Sequence, residues 1–309
     1  MKIAFFGNPQ FAVPTFQALI ASTHQICCVI TGPDRKAGRS QKIQFSAVKQ
    51  IALEQNLPIL QPEDLNSTNF LSELDGFKPE IGVVVAYRIL PREVFTIPPM
   101  GCVNLHPSML PDLRGAAPIN WALIRGYQKS GISTFLIKER VDAGSILIQE
   151  EVDIFPEDDA GSLSERLSIR GGKLIIESLD RLEAGNLVPS PQTGKPTRAP
   201  KLTDETRQIS WDKPAEEIHN LVRGLSPIPC SYTFLGSKRL KIYGSSVDSS
   251  TSIKVPGTVI GYNDNSLQIS TANGTLCITE LQLEGKRKMT AEEFNRGNPI
   301  PAGTLLGKI

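Results

Sequence analysis

The sequence predicts an α/β first half built on a Rossmann-like, mostly parallel sheet, followed by a small OB-like β-barrel. Three observations carry that expectation. Short β-rich runs alternate with helical patterns through the first half; near residue 186 the chain turns into "NLVPSPQTGKPTRAPKLTDE", rich in Pro, Thr and Lys without periodicity; and beyond it come short strands broken by Asn-Asp and Asn-Gly turns. Strands that alternate with helices form βαβ units around a parallel sheet. Short strands with tight polar turns close into small antiparallel architectures.

In order, "KIAFF" opens as a strand, "AVPTFQALIAS" reads as a helix, "QICCVIT" as a strand, "SAVKQIALEQN" as a helix, and "IGVVVAY" and "GCVNLH" as two further strands. "GISTFLIK" and "SILIQEEVDI" are expected to flank a short loop, and "AGSLSERLSIRGGKLIIESLDRLEAG" has apolar residues at helical spacing with a Gly-bearing stop. This divides the chain into an α/β domain over 1–185, a linker over 186–205 and a C-terminal barrel over 206–309. The last begins with the helical "PAEEIHNLVRGL" and continues through "SYTFLG", "KRLKIYGSSV" and "GTVIGYNDNSLQISTANGTLCITELQL".

At 309 residues with a formal charge of +1, the chain has room for two cores and no general polyanion-binding coat. Its apolar runs fall short of the roughly 20 residues a membrane span needs. "MKIAFFG" goes straight into a strand without the pattern of a secretory leader. Five cysteines with no C-x-x-C suit a reducing compartment, so a cytoplasmic protein is expected; a monomer with no membrane partner is the accompanying expectation. Basic clusters remain at "DRKAGRSQK", "GKPTRAPK" and "GKRK".

"GNPQFAVP" follows the first strand but lacks G-x-G-x-x-G, and "GKPT" lacks the first Gly of a P-loop. His24, His106 and His219 stand without Cys or Glu at ligand spacing, so no metal is expected. Ser108 beside His106 has no G-x-S-x-G around it. What remains is Asn104 and His106, two apart at the carboxyl end of a strand and therefore on one face of it, where open α/β sheets place their sites. An amide and an imidazole side by side suit holding a carbonyl oxygen while a proton moves. Asp142, in "KERVDAGS", is a candidate to set the imidazole; the alternative is an exposed turn aspartate.

The motifs "FFGNPQFAVP", "NLHPSMLPDLRGAAPINWALIRG", "SGISTFLIKERVDAGSIL", "ISWDKPAEEIHNLVRGLSPIPCSYT" and "LEGKRKMTAEEFNRG" resemble, end to end, those of the methionyl-tRNA formyltransferases, within the wider group of formyl-tetrahydrofolate transformylases. That resemblance implies a catalytic trio of Asn104, protonated His106 and Asp142. It implies transfer of the formyl group of 10-formyltetrahydrofolate, the donor substrate, to methionyl initiator tRNA for translation initiation. It further implies folate contacts from Ser108, Met109, Leu110 and Pro111, and from Arg88 and Leu90 at a strand end. Pro107 and Pro111 would stiffen this wall.

By the same resemblance the basic loop and the C-terminal domain imply the tRNA acceptor, with Arg39, Lys42 and Lys201 as contacts, while the polar run "KAGRSQK" itself predicts disorder in the free protein. Initiator selection would come from a weak first base pair of the acceptor stem. The chain departs from the family pattern with "RIL" at 88–90 where Gly usually follows "VVVAY", with Arg140 where Gly is usual, and with Ala143 between Asp142 and Gly144. Formyl transfer to an amino sugar or nucleotide, and hydrolytic release of formate, share the trio and are the alternatives.

Overall fold

The computed structural model describes residues 1–37, 42–249, 254–263 and 265–307, with backbone only at 36, 37, 42 and 43. The chain begins with β1 (Lys2–Gly7), α1 (Val13–Ile20), β2 (Gln25–Ile30), the short strands β3 (Arg35–Ala37) and β4 (Lys42–Gln44), α2 (Ala47–Glu54) and β5 (Ile59–Leu60). Next come α3 (Thr68–Gly76), β6 (Ile81–Val85), α4 (Arg92–Phe95), β7 (Cys102–His106), α5 (Pro118–Ile124), β8 (Lys129–Leu136), β9 (Ile146–Asp153) and the long α6 (Ala160–Glu183). The remainder comprises α7 (Asp204–Arg207), α8 (Ala215–Leu225), β10 (Ser231–Leu235), β11 (Lys238–Asp248), β12 (Val259–Asn263), β13 (Ser266–Ser270), β14 (Thr275–Leu283), β15 (Met289–Thr290) and α9 (Ala291–Gly297).

Contacts divide the chain into two units. The first holds Met1–Gly115, Ser130–Asp153 and Ser164–Ala199; the second holds Ala116–Lys129, Ile154–Leu163 and Pro200–Ile309.

The first unit is organised by a seven-stranded sheet in the order β5-β2-β1-β6-β7-β8-β9. Strands β5, β2, β1, β6 and β7 pair in parallel, and β8 runs antiparallel to β7. Parallel strands covered on both faces need continuous apolar runs rather than alternation, and β6 is buried at all of its positions. Phe6, Ile30 and Val84 pack with Phe70 and Leu74 of α3, while Phe5 stacks on Phe16 of α1 with ring centroids 4.7 Å apart. Ser46 and Ser67 cap α2 and α3 by accepting the Lys49 and Phe70 N–H groups, each cap being worth about 1 kcal/mol. β1 sits between β2 and β6, so the chain reverses its direction of travel across the sheet there, and the carboxyl ends of these central strands open a crevice.

The second unit is built on an antiparallel sheet in the order β10-β11-β14-β13-β12, with β15 pairing β14. Leu240, Ile242, Ile269, Leu276 and Ile278 meet Ile218 and Val222 of α8 and Phe294 of α9 in one core. Trp211 joins that core and satisfies its Nε1–H on Thr233 Oγ1 at 3.1 Å. α5 belongs to this unit and lies against α8 at Gly224, where a Cβ would come within 2.7 Å of Ile124. Asn120 donates to the Gly224 carbonyl at 2.7 Å. Among the described residues no helix is long and apolar enough to cross a membrane.

Candidate functional site

β7 delivers Asn104 and His106 to the carboxyl end of the sheet, with Asn104 beside Val84 of β6 and opposite Phe135 of β8, and His106 opposite Ser133. A pocket opens there, lined by Val84, Tyr87, Arg88, Ile89, Leu90, Asn104, Phe135, Ile137 and Asp142. His106 is only 4% exposed, and its Nε2 lies 3.0 Å from the Leu113 carbonyl. A carbonyl only accepts, so Nε2 carries the proton in the neutral ring and Nδ1 is left with its lone pair. Nδ1 faces Asp142 Oδ1 at 3.9 Å, beyond direct hydrogen bonding.

Burial pushes the His106 pKa below the usual imidazole value, while the Asp142 charge and the Leu113 carbonyl pull it back up and Arg114 lowers it. Burial is the largest of these influences, so the site favours the neutral ring. The standing imidazolium implied by the family resemblance is therefore the less favoured state, and charge on the ring belongs to the moment when a proton arrives.

Asp142 is held in place by backbone rather than by a cation. It sits in the left-handed region at φ 51°, and Gly115 N–H donates to its Oδ2 at 2.9 Å. Gln192 Nε2 donates to the carbonyls of both Asp142 and Gly144 at 2.9 Å, and Gln192 Oε1 accepts from Arg114 Nε at 3.1 Å and from its Nη2. Gly144 has no room for a side chain, since a Cβ would fall 1.7 Å from the Leu136 carbonyl oxygen.

The Pro/Thr/Lys-rich stretch has neither helix nor strand from 186 to 203, yet its 190–199 part is firmly engaged. Thr197 accepts the Leu113 N–H at 2.9 Å, donates to Asp112 Oδ1 and offers its carbonyl to Arg114 N–H; Ala199 N–H donates to the Arg114 carbonyl. This clamp fixes the same Leu113 carbonyl that sets the His106 tautomer.

The wall from Ser108 to Pro111 is stapled to β8 and β9. Ser133 Oγ accepts Leu110 N–H and donates to the Ser108 carbonyl, and Gln149 donates to the Leu110 carbonyl and to Ser133 Oγ. The Leu110–Pro111 peptide is cis. Ser108 is buried and donates its hydroxyl to the Asp112 carbonyl, so it is not a free nucleophile. Leu110 is buried against Phe135 and Ile146, behind the pocket surface. Met109 and Pro111 are half-buried, with Met109 Sδ filling the space above Gly131.

The structure therefore brings together Asn104, His106, Asp142, Arg88 and Leu90. It sets the Ser108 and Leu110 side chains behind the wall, and it shows Lys201 exposed in the second unit. Arg39 lies outside the described residues, as does the Lys42 side chain at the start of β4. Sequence reasoning missed Gln192, Thr197, the Gly115 N–H and the Leu113 carbonyl, and the two backbone groups carry no sequence signal at all. Among the described residues, His24, Asp180 and Glu183 form the one grouping of metal-ligand type, and it lies at the opposite, amino-terminal end of β2.

An amide donor, a tautomer-fixed imidazole and a backbone-held carboxylate around a strand-end pocket define a group-transfer enzyme that activates a carbonyl and moves one proton. Residues 1–179 match the family described as "Formyl transferase" and residues 201–299 match "Formyl transferase, C-terminal domain". The chain is 45% identical over 302 residues, 97% of each chain, to a protein of Thermodesulfovibrio yellowstonii named methionyl-tRNA formyltransferase. It is 40% identical over 311 residues, covering 100% of this chain and 99% of the other, to one of the same name from Pelotomaculum thermopropionicum. The crystal structure of WlaRD, a sugar 3N-formyl transferase, in the presence of dTDP and 5-N-formyl-THF, superposes with a TM-score of 0.68 at 20% identity, covering 93% of this chain and 99% of that one. The chain belongs to the formyl transferase family and carries both of its domains.

Proposed function

We propose that this enzyme transfers the formyl group of 10-formyltetrahydrofolate to the free amino group of methionyl initiator tRNA, in the cytoplasm and as a monomer. The observation that carries the reading is the 45% identity to a methionyl-tRNA formyltransferase over both domains, joined to Asn104 and Asp142 lining one pocket with buried His106 3.9 Å behind Asp142. On this reading residues 1–185 form the catalytic domain and 206–309 the tRNA-facing one. Lys201, Arg39 and Lys42 supply phosphate contacts of the kind that make affinity salt-dependent.

The folate sits in the strand-end pocket against Leu90 and the backbone of 87–90, with Ser108 to Pro111 as its preformed wall. Asn104 donates its amide to the formyl oxygen. As the amine attacks the formyl carbon, His106 Nδ1 takes its proton, and Asp142 stabilises the imidazolium that results. The bond from the formyl carbon to the folate nitrogen then breaks, and His106 returns the proton to that nitrogen. One C–N bond forms, one breaks, and the ring ends neutral. The site thus keeps a neutral base ready and spends its carboxylate on the charged state that forms only during reaction.

The test is transfer of labelled formyl to charged initiator tRNA beside charged elongator tRNA. Label on the initiator alone, lost in His106→Ala, is the expected result. Free formate with unlabelled tRNA would instead make the enzyme a hydrolase.

A further inference from the structure

At the opposite end of the parallel sheet from Asn104 and His106, the first unit gathers a second set of side chains with ligand chemistry. His24 stands just before β2, and its side chain is fully buried. Its backbone is held in place: the His24 N–H donates to Ser22 Oγ at 3.2 Å, and that hydroxyl donates to the Leu19 carbonyl at 2.7 Å. Asp180 and Glu183 lie three residues apart in the last turn of α6, so they share one face of the helix, and both are about half exposed. One ligand atom from each of the three residues falls within 4.8 Å of the other two. Nothing in the sequence around His24 announces these partners; the fold supplies them.

A histidine beside two acids ordinarily makes ion pairs, and the ring geometry shows what that reading leaves over. Nε2 lies 3.1 Å from Asp180 Oδ1, yet it is buried and has no hydrogen-bond partner. The oxygen is close but off the axis along which the nitrogen could donate. Two atoms bound to one metal ion stand in this relation: with bonds of about 2.0 to 2.1 Å they sit about 3.0 to 3.4 Å apart, each displaced from the other's axis. An ion on that axis gives the orphaned nitrogen its partner. Nδ1 lies 3.3 Å from the Met1 amino group, which donates when charged and accepts when neutral, so the ring can carry its proton on Nδ1 and keep a lone pair on Nε2. The same amino group donates to Glu183 Oε1 at 3.0 Å and leaves Oε2 on the ring side, 3.7 Å from Nδ1. Arg181, between the two acids in sequence, pairs with Glu177 at 3.3 Å.

We propose that His24, Asp180 and Glu183 bind one divalent metal ion of the zinc class, with Nε2 and one oxygen from each carboxylate as the protein ligands and water completing the sphere. An imidazole with two carboxylates suits zinc or nickel, whereas calcium and magnesium take all-oxygen shells. The exposed sides of the two acids leave the remaining coordination open to water. The ion ties the last turn of α6 to the turn before β2, at the amino-terminal end of the sheet. It is a staple of the fold and takes no part in formyl transfer.

The test uses the full-length protein, stripped with a chelator and titrated with zinc in a calorimeter, with thermal unfolding followed in parallel. One equivalent binds with micromolar affinity or tighter, and the melting temperature rises by about 5 °C at zinc near 100 times Kd. Magnesium at the same concentration leaves the melting temperature where it was. Asp180→Asn and Glu183→Gln, both at half-exposed positions, each weaken zinc binding at least about tenfold, and the Asp180→Asn/Glu183→Gln double variant abolishes it. Cobalt(II) in place of zinc gives the visible absorption of a nitrogen and oxygen site without thiolate charge-transfer bands. Zinc bound equally well by the double variant overturns the proposal, since the metal then sits elsewhere. Thiolate bands in the wild-type cobalt spectrum overturn it as well, and so does zinc affinity weaker than about 1 mM.

Discussion

Two of the three histidines are buried in the first unit beside carboxylates, and only one of them is placed to react. His24, at the start of β2, has Nε2 at 3.1 Å from Asp180 and Nδ1 at 3.7 Å from Glu183, both exposed acids near the end of α6. Its Nδ1 also lies 3.3 Å from the Met1 amino group, while its buried Nε2 has no hydrogen-bond partner despite the nearby acid. His106 commits Nε2 to a backbone carbonyl and keeps Nδ1 across a 3.9 Å gap from an acid that is itself held by a backbone N–H. Burial and a nearby carboxylate are common to both; what differs is a tautomer fixed by a backbone carbonyl, beside a pocket that a substrate can enter.

The sharpest way to break this comparison is to exchange the two losses. His106→Ala should lower kcat by about 100- to 10,000-fold, the range for removing a general acid–base group. His24→Asn should lower the melting temperature yet leave kcat within about twofold, as expected for a substitution outside the site. Equal activity losses would erase the distinction. Asn104→Ala comes next, with kcat down about 100- to 1,000-fold in single-turnover formyl transfer.

Asp142→Asn should cost less than His106→Ala and should also move the pH profile. The carboxylate pulls the His106 pKa up against burial, so its removal shifts the acid limb of kcat/KM to lower pH, where neutral imidazole persists further into acid. A limb that moves to higher pH would exclude His106 as the base. The smallest change is expected from Gln192→Glu, which keeps an acceptor for Arg114 but loses the donor to the Asp142 and Gly144 carbonyls; loss of about 1 kcal/mol of positioning corresponds to roughly a fivefold fall in kcat.

Much of this arrangement follows from local pattern. The two-residue spacing of Asn104 and His106 at a strand end places both on one face because strand side chains alternate, and the helical spacing from Ala160 onward marks α6. The clamp on the site is of another kind. Gln192 meets Asp142 fifty residues away and Thr197 meets Leu113 eighty-four away, and neither pairing leaves a periodic trace. The downward pull on the His106 pKa comes from its burial, which a one-dimensional reading does not supply, and it works against the charged ring that the family resemblance implies. α9 is a different case: Thr290 and Glu293 form a capping box whose T-x-x-E signature lies inside the stretch that also carries a family motif.

α5 and the stretch 154–163 carry a lesson for anyone recombining or shortening such chains. Both lie inside the first 185 residues, yet their packing partners come after residue 200: Asn120 and Ile124 meet Gly224, and the Gly161 N–H donates to the Ser226 carbonyl. A gene cut at the compositional boundary would strand two inner segments from the residues that bury them. The exchangeable modules of this protein are thus interleaved along the chain, and a chimera that swaps the C-terminal half must graft those two insertions with it.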